Sequence, residues 1–472
     1  MTTPPARLLT LVSFGNLSST STASTTASER PEPRLRSAIA AACALLLLLG
    51  AVCVPAHAQP NWVQESPSAS PPARDYAALA YDAAHGQVVL FGGGGEPGGV
   101  CCGYFNDTWV WDGTNWTQEF PADSPSARAT FGMAYDAAQG QVVLFGGGVG
   151  GGLLNDTWVW NGTNWTQLSP ANSPPARGSF VMVYDSAHGQ IVLFGGLNNG
   201  AGDLNDTWVW DGTNWTQEFP ANSPSARSDF DMAYDTVHSQ VVLFGGLSGS
   251  DFLGDTWVWD GTNWTQLSPA TSPPARAESP MAYDAALGQA VLFGGSNGGG
   301  TPLNDTWVWD GTNWTQADPA NSPSGRVWAD MAYDPQQSRV VLFGGLNLDF
   351  FNDTWVYEPQ LAASPSPLTF PNIVPDESFP KVVVATNAGL SKLTIGTVTI
   401  MPTGGDLNAF TIKQYCHQPR TLRPGQTCTI RVLFRPHEFG LSTATLNIPF
   451  DGPGSPLEVS IAGTGVARKK EH

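Results

Sequence analysis

A unit of about 50 residues occurs six times between residues 61 and 358, and this repetition limits the fold more than any other feature of the chain. One copy reads Ala233-Tyr234-Asp235, then Val241-Val242-Leu243-Phe244-Gly245-Gly246, then Asp255-Thr256-Trp257-Val258-Trp259-Asp260-Gly261-Thr262-Asn263-Trp264-Thr265-Gln266. A unit so short cannot cover its own apolar face and has to pack against its copies.

Each unit divides into four short strands. The first follows a recurring Arg and ends in Ala-Tyr-Asp, as in residues 228–235. A tight turn such as Ser186-Ala187-His188-Gly189 comes next. The second strand is an apolar run ending in two glycines, as in residues 191–196. Its lack of alternation suits a strand covered on both faces. The third strand is the segment 206–210, and Asp211-Gly212-Thr213-Asn214 supplies a hairpin turn into Trp215-Thr216-Gln217. A Pro-rich link, residues 220–227, leads onward. Four antiparallel strands per unit, repeated radially, make blades of a β-propeller, so the fold class is all-β with six blades.

The two ends of the repeat region predict ring closure. The sixth unit reaches Trp355-Val356-Tyr357-Glu358 and lacks a fourth strand, whereas Asn61-Trp62-Val63-Gln64 precedes the first unit. The amino-terminal strand should therefore complete the last blade, which leaves no long open edge.

The diglycines at residues 92–93, 146–147, 195–196, 245–246, 294–295 and 344–345 are followed by aromatic pairs: Trp111 with Trp116, Trp160 with Trp165, Trp210 with Trp215, Trp259 with Trp264 and Trp309 with Trp314. Tyr357 and Trp62 make the sixth pair across the closure. In this order and spacing, residues 61–358 resemble kelch repeats, the repeat of the galactose-oxidase central domain. The resemblance implies a propeller with aromatics packed between blades.

From about residue 365 to 466 Trp disappears, Lys appears, and short alternating strands are expected at residues 381–386, 393–400, 427–434, 443–448 and 457–461. This reads as an immunoglobulin-like β-sandwich. The segment Leu422-Arg423-Pro424-Gly425-Gln426-Thr427-Cys428 and the closing Ala462-Gly463-Thr464-Gly465 resemble the Hydin/abnormal-spindle module of bacterial surface proteins, which implies an accessory or anchoring role. The domains expected are a propeller at 59–360, a linker at 361–367, a sandwich at 368–467 and a basic tail at 468–472.

Residues 1–58 read as a leader with a secretory signal. Arg34 and Arg36 precede an apolar run, residues 38–54, and Pro55-Ala56-His57-Ala58 gives a small-x-small cleavage site, with cleavage expected after Ala58. The chain is thus expected to be secreted or at the cell surface, with no membrane span after cleavage. Of the cysteines beyond the leader, Cys416 and Cys428 are expected to form a disulfide, as the even count in an exported chain suggests. Cys101 and Cys102 are left open between a strained ring and pairing with another molecule.

Charge is divided along the chain. Residues 59–358 hold seven Arg, no Lys and 31 acids. Such a region repels phosphate backbones, which argues against a nucleic-acid partner. The Arg repeated at 74, 128, 177, 227, 276 and 326 either pairs with a neighbouring blade's Asp, the reading preferred, or rings the channel mouth to take a carboxylate.

Positions that differ between units are the candidates for specificity. They are the residues after each Arg (Asp75, Tyr76, Phe131, Phe180, Asp229, Asp231, Glu278, Trp328 and Asp330) and the loops after each diglycine, and both sets should meet at one mouth. Acids beside aromatics there suit a cation, Ca²⁺ or a sugar. A copper oxidase of the galactose-oxidase type needs two His and two Tyr at one face. His85, His188 and His238 instead share one repeated turn, His417 and His437 fall in the sandwich, and His472 is in the tail. No catalytic residue, metal ligand or cofactor is assigned. The chain is read as a non-catalytic binding or adhesion protein with a protein or glycan ligand. The rival readings are a carbohydrate-active enzyme or degenerate oxidase, and a structural surface or matrix protein.

Overall fold

The computed structural model describes residues 56–57, 60–96, 103–319, 321–358, 360–388, 392–414, 416, 420–423, 425–451 and 455–467. The leader up to residue 55, the cleavage residue Ala58, the pair Cys101 and Cys102, and the tail 468–472 lie outside them. Every regular element among the described residues is a strand.

The repeats form six four-stranded antiparallel sheets. The third is representative: Val181–Asp185, Gln190–Asn198, Gly202–Trp210 and Trp215–Glu218, hydrogen-bonded in that order. Its second strand is covered on both faces, with Ile191, Val192, Leu193 and Phe194 all at 0% exposure, which explains the unbroken apolar run. The hairpin before Trp215 is held by Asp211, whose Oδ1 accepts the N–H groups of Thr213 and Asn214, both at 2.8 Å. Gly212 supplies the φ of +94° that the reversal needs.

Adjacent sheets interlock through a repeated aromatic contact. The fourth-strand Trp of each sheet donates its indole N–H to the third-strand Thr of the sheet before it: Trp165 to Thr108 at 2.9 Å, Trp215 to Thr157 at 3.0 Å, Trp264 to Thr207 at 2.9 Å and Trp314 to Thr256 at 3.0 Å. The same indole packs on a Phe of that sheet, as Trp215 does on Phe145 with centroids 5.1 Å apart. Each buried indole contributes about 2–3 kcal/mol of burial.

The series closes on itself. Asn61–Gln64 is the fourth strand of the last sheet, in register Trp62 with Tyr357 and Val63 with Val356. Trp62 bonds Thr306 at 2.9 Å, and Trp116 of the first sheet bonds Thr354 of the last at 2.8 Å. The first strand of each sheet lies beside that of the next, and the sixth beside the first.

Two details differ from the sequence expectation. The first strand of each unit is shorter than expected, beginning at Asp231 rather than at residue 228 in the fourth unit. The diglycine also does not end the second strand in two units. Gln141–Val149 and Gln190–Asn198 run past it, with a register shift at the glycines.

Residues beyond the ring form a five-stranded sheet (Ala56–His57, Leu361–Ser364, Phe379–Asn387, Thr427–Phe434, Phe410–Gln414) and a four-stranded sheet (Leu368–Thr369, Leu457–Gly465, Gly440–Ile448, Thr399–Gly404). Both contribute inward residues to one apolar cluster, among them Ile430, Val432, Leu446 and Val459. Cys416 and Cys428 are disulfide-bonded. Leu361–Ser364, placed in a linker by the sequence reading, is a strand paired with Phe379–Asn387. Its Leu361 and Ala363 are buried.

Candidate functional site

The site is built from the residue two places after each repeated Arg. Tyr76, Thr130, Ser179, Asp229, Glu278 and Trp328 occupy this position, and all six adopt a left-handed backbone, with φ from 49° to 62°. None is glycine, so each holds a conformation that costs an L-residue about 1–2 kcal/mol. The twist turns the backbone N–H of one unit toward its neighbour. Ser179 N donates to Thr130 O at 2.9 Å, Asp229 N to Ser179 O at 3.1 Å, Glu278 N to Asp229 O at 2.8 Å, Trp328 N to Glu278 O at 3.2 Å and Tyr76 N to Trp328 O at 2.9 Å. A belt of five backbone bonds thus links the six positions at the mouth.

Below the belt lies a cavity of about 530 Å³ lined by the first strands of all six sheets. Asp229, Asp231, Glu278 and Asp330 reach it, as do Tyr76 and Trp328, and among the described residues no Lys, Arg or His does. The Tyr76 and Trp328 rings stack at 4.7 Å and 22°. Asp231 accepts the Met232 N–H and, from the next sheet, the Met281 N–H, both at 2.7 Å. Asp330 does likewise with Met331 at 2.7 Å and Leu79 at 2.6 Å. Each carboxylate therefore joins two sheets while remaining in the channel.

Burial makes these acids hard to ionise. It raises Asp330 to about 7 against its backbone donors. Burial and then the Asp330 charge hold Asp231 well above the carboxylate range. Burial and the Asp229 charge bring Glu278 to about 7, with the Trp328 indole acting the other way. Burial also raises Asp229, against the hydroxyls of Ser179 and Ser228. The Tyr76 phenol is pushed up by burial and by the charges of Asp229, Glu278 and Asp75.

Of the nine sequence candidates, Tyr76, Asp229, Asp231, Glu278, Trp328 and Asp330 present polar or aromatic groups to the cavity. Asp75 does not line it. Its residue pairs with Gly94 in a short ladder, and burial brings its carboxyl to about 6 against the N–H donors there. Phe131 and Phe180 touch the cavity only from the inter-sheet core, where they pack edge-on against Phe91 at 5.6 Å and Phe145 at 5.8 Å. Thr130 and Ser179 belong to the belt and escaped the sequence reading, although their position two after Arg128 and Arg177 marks them as equivalents of Tyr76.

The loops after the diglycines do meet the first strands at the mouth. Ala129 bridges Gly148, Gly178 bridges Leu197, Ser228 bridges Leu247, Ala277 bridges Ser296 and Val327 bridges Leu346. In the second, third and fourth units these loops rise as hairpins, and the Gly249 N–H ties one hairpin to the Asp203 carboxylate of its neighbour at 2.7 Å. The loops of the fifth and sixth units carry no such strand pair, and Leu348 in the sixth is 94% exposed.

The repeated Arg is scaffold. Arg177 is fully buried, donates to Asp206 through both Nη atoms at 2.7 Å, and also bonds the carbonyls of Gly195 and Pro175. Its partner belongs to its own unit, not to the neighbouring blade as expected: the Arg177 backbone N–H donates to the Leu154 carbonyl of the preceding unit at 3.1 Å, while the guanidinium reaches forward to its own. Burial pushes Asp206 up, but Arg177 and the Trp208 indole outweigh it and leave the carboxyl below its usual range. His85, His188 and His238 bond Asp82, Asp185 and Asp235 at 2.7 Å. They sit against Gly162, Gly261 and Gly311 in the next sheet's hairpin. Among the described residues no group of three His, Cys, Asp or Glu could hold a metal ion. His417 and His472 lie outside the described residues.

The family model described as the KLHDC2/KLHL20/DRC7 Kelch-repeats domain matches residues 52–216, 161–310 and 213–363. No curated protein matches the chain.

Proposed function

The chain belongs to the kelch-repeat family, and from that premise we propose a six-bladed propeller that binds a protein partner at its mouth and carries no catalytic centre. The group it receives is a cationic side chain, Lys or Arg. One observation carries this reading: the cavity joins four carboxyl groups to a stacked Tyr76–Trp328 pair, and among the described residues none that lines it is basic. A guanidinium or ammonium ion gains from both features, by charge and by cation–π contact. Residue size supports a lopsided approach. The large side chains Tyr76, Glu278 and Trp328 fall in the adjoining first, fifth and sixth units, opposite Thr130, Ser179 and Asp229 in the second to fourth. A sugar is the weaker ligand, because Tyr76 already covers one face of Trp328. We further propose that residues 368–467 are an immunoglobulin-like accessory domain and that the protein is exported. The disulfide and the leader support an oxidising destination.

A displayed random-peptide library tests the reading. Selection on the full chain, with counter-selection on a Trp328→Ala, Glu278→Gln variant, is expected to enrich Lys- or Arg-bearing peptides. Their affinity should rise from pH 6 to pH 8 as the raised carboxyls ionise. Enrichment of acidic peptides, or peptides that bind the variant equally well, would end it.

A further inference from the structure

In five sheets a hairpin turn joins the third strand to the fourth. In the sixth no turn joins them: Thr354–Glu358 continues toward the carboxyl end, and Asn61–Gln64 arrives from the amino end. The sequence departs from its own repeat at this joint. The second strand begins with Gln87, Gln141, Gln190, Gln240 and Gln289 in five sheets, and with Arg339 in the sixth. Glu358 stands where the first sheet has its hairpin residue Asp112.

Arg339 is fully buried. Its Nη1 donates to Glu65 Oε1 at 2.8 Å and lies 3.8 Å from Glu358 Oε2. Its Nη2 donates to the Gly113 carbonyl, in the hairpin of the first sheet, at 2.5 Å. One guanidinium thus touches both chain segments that make the joint and the sheet that closes against it. Glutamine fills this place in the other five sheets, so the charge is not a packing requirement.

We infer that Arg339 is an ionic latch, which keeps the amino-terminal strand in the ring where no covalent turn does so. Without the guanidinium, the Glu65 carboxylate would lose its cation and the joint its bond to the first sheet's hairpin, and that cost falls on the joint itself. The same seam runs to the mouth, where Tyr76 of the first sheet meets Trp328 of the sixth.

Hydrogen exchange on the full chain tests the latch, with Trp215–Glu218, an equivalent strand held by a hairpin, as internal control. In Arg339→Gln, exchange across residues 61–65 should quicken by more than about tenfold, while the control strand keeps its protection. Val63 and Val356 face each other in the ladder, so adding Val63→Cys and Val356→Cys should restore protection through a cross-link. Loss at both strands that the cross-link reverses also supports the latch, since the ring then opens from its joint. Wild-type protection at 61–65, or loss at both strands that the cross-link leaves unchanged, overturns it. Glu65→Gln gives the same reading should Arg339→Gln fail to fold.

Discussion

Arg177 and its five counterparts bind the same partners in every unit, an Asp and a diglycine carbonyl, and each guanidinium is buried and fully engaged. Two residues further on, six equivalent positions carry six different side chains, all in a left-handed backbone. Shell and mouth come from the same repeat, yet the shell spends its charges on itself and the mouth leaves them facing a cavity. Repetition with satisfied partners marks scaffold. Variation in a strained, charged setting marks a place where something other than folding selects the residue.

The comparison breaks most visibly if a shell residue proves dispensable. Arg177→Ala leaves the partly buried Asp206 without its cation, with the Trp208 indole still donating to it, and should cost about 3 kcal/mol in chemical denaturation. Trp328→Ala at the mouth should cost far less, and equal losses would erase the distinction. Acid titration sharpens it, because shell and mouth carboxyls shift in opposite directions. Shell acids such as Asp107 and Asp206 are lowered in the folded state, so their stabilisation is present above the usual carboxylate range and is lost as pH falls through their folded values. Asp330 is raised to about 7, so its contribution is fully present below the unfolded value and is lost as pH rises through 7. Asp330→Asn should therefore raise the melting temperature at pH 8 relative to wild type. The gain is on the order of 2 kcal/mol, trimmed by water in the cavity and by the lost acceptor. The gain should shrink as pH falls below 7 and vanish near about pH 4, the unfolded value. A gain that does not fall with pH would show that charge is not its source.

Much of the shell was legible because each unit states its strands, turns and packing aromatics in the same order. The pairing of Trp62 with Tyr357 was legible for a related reason, since the piece missing at one end stands at the other. The left-handed belt was not, because Tyr, Thr, Ser, Asp, Glu and Trp give no glycine signal there. That one backbone twist also misplaced Asp75: alternation cannot be carried through a residue that reverses the chain, so Asp75 joins a ladder with Gly94 instead of facing the channel. The sequence pairs each Arg with a neighbouring blade's Asp; its backbone does bond the preceding unit, but the long side chain reaches the Asp of its own, which spacing alone does not reveal. Leu361–Ser364 looked like a linker because Ala and Ser have weak strand preference. Burial of Leu361 and Ala363 in the apolar cluster of the C-terminal sheets decides it.

The smallest effect concerns the belt itself. Thr130 is β-branched, left-handed at φ 58°, and sits on the side of the mouth without acids or large aromatics. Thr130→Gly removes the strain of about 1–2 kcal/mol, while the freer unfolded chain takes back about 0.4–1 kcal/mol. A net rise in stability of about 0.5–1 kcal/mol is expected, with binding of the selected cationic peptides unchanged. At Trp328 the same substitution relieves similar strain but removes half of the aromatic stack, so binding should fall even though the fold holds. Were Thr130→Gly to weaken binding as much as Trp328→Gly, the hydroxyl side of the belt would be part of the site, and the ligand would span the whole mouth rather than one half of it.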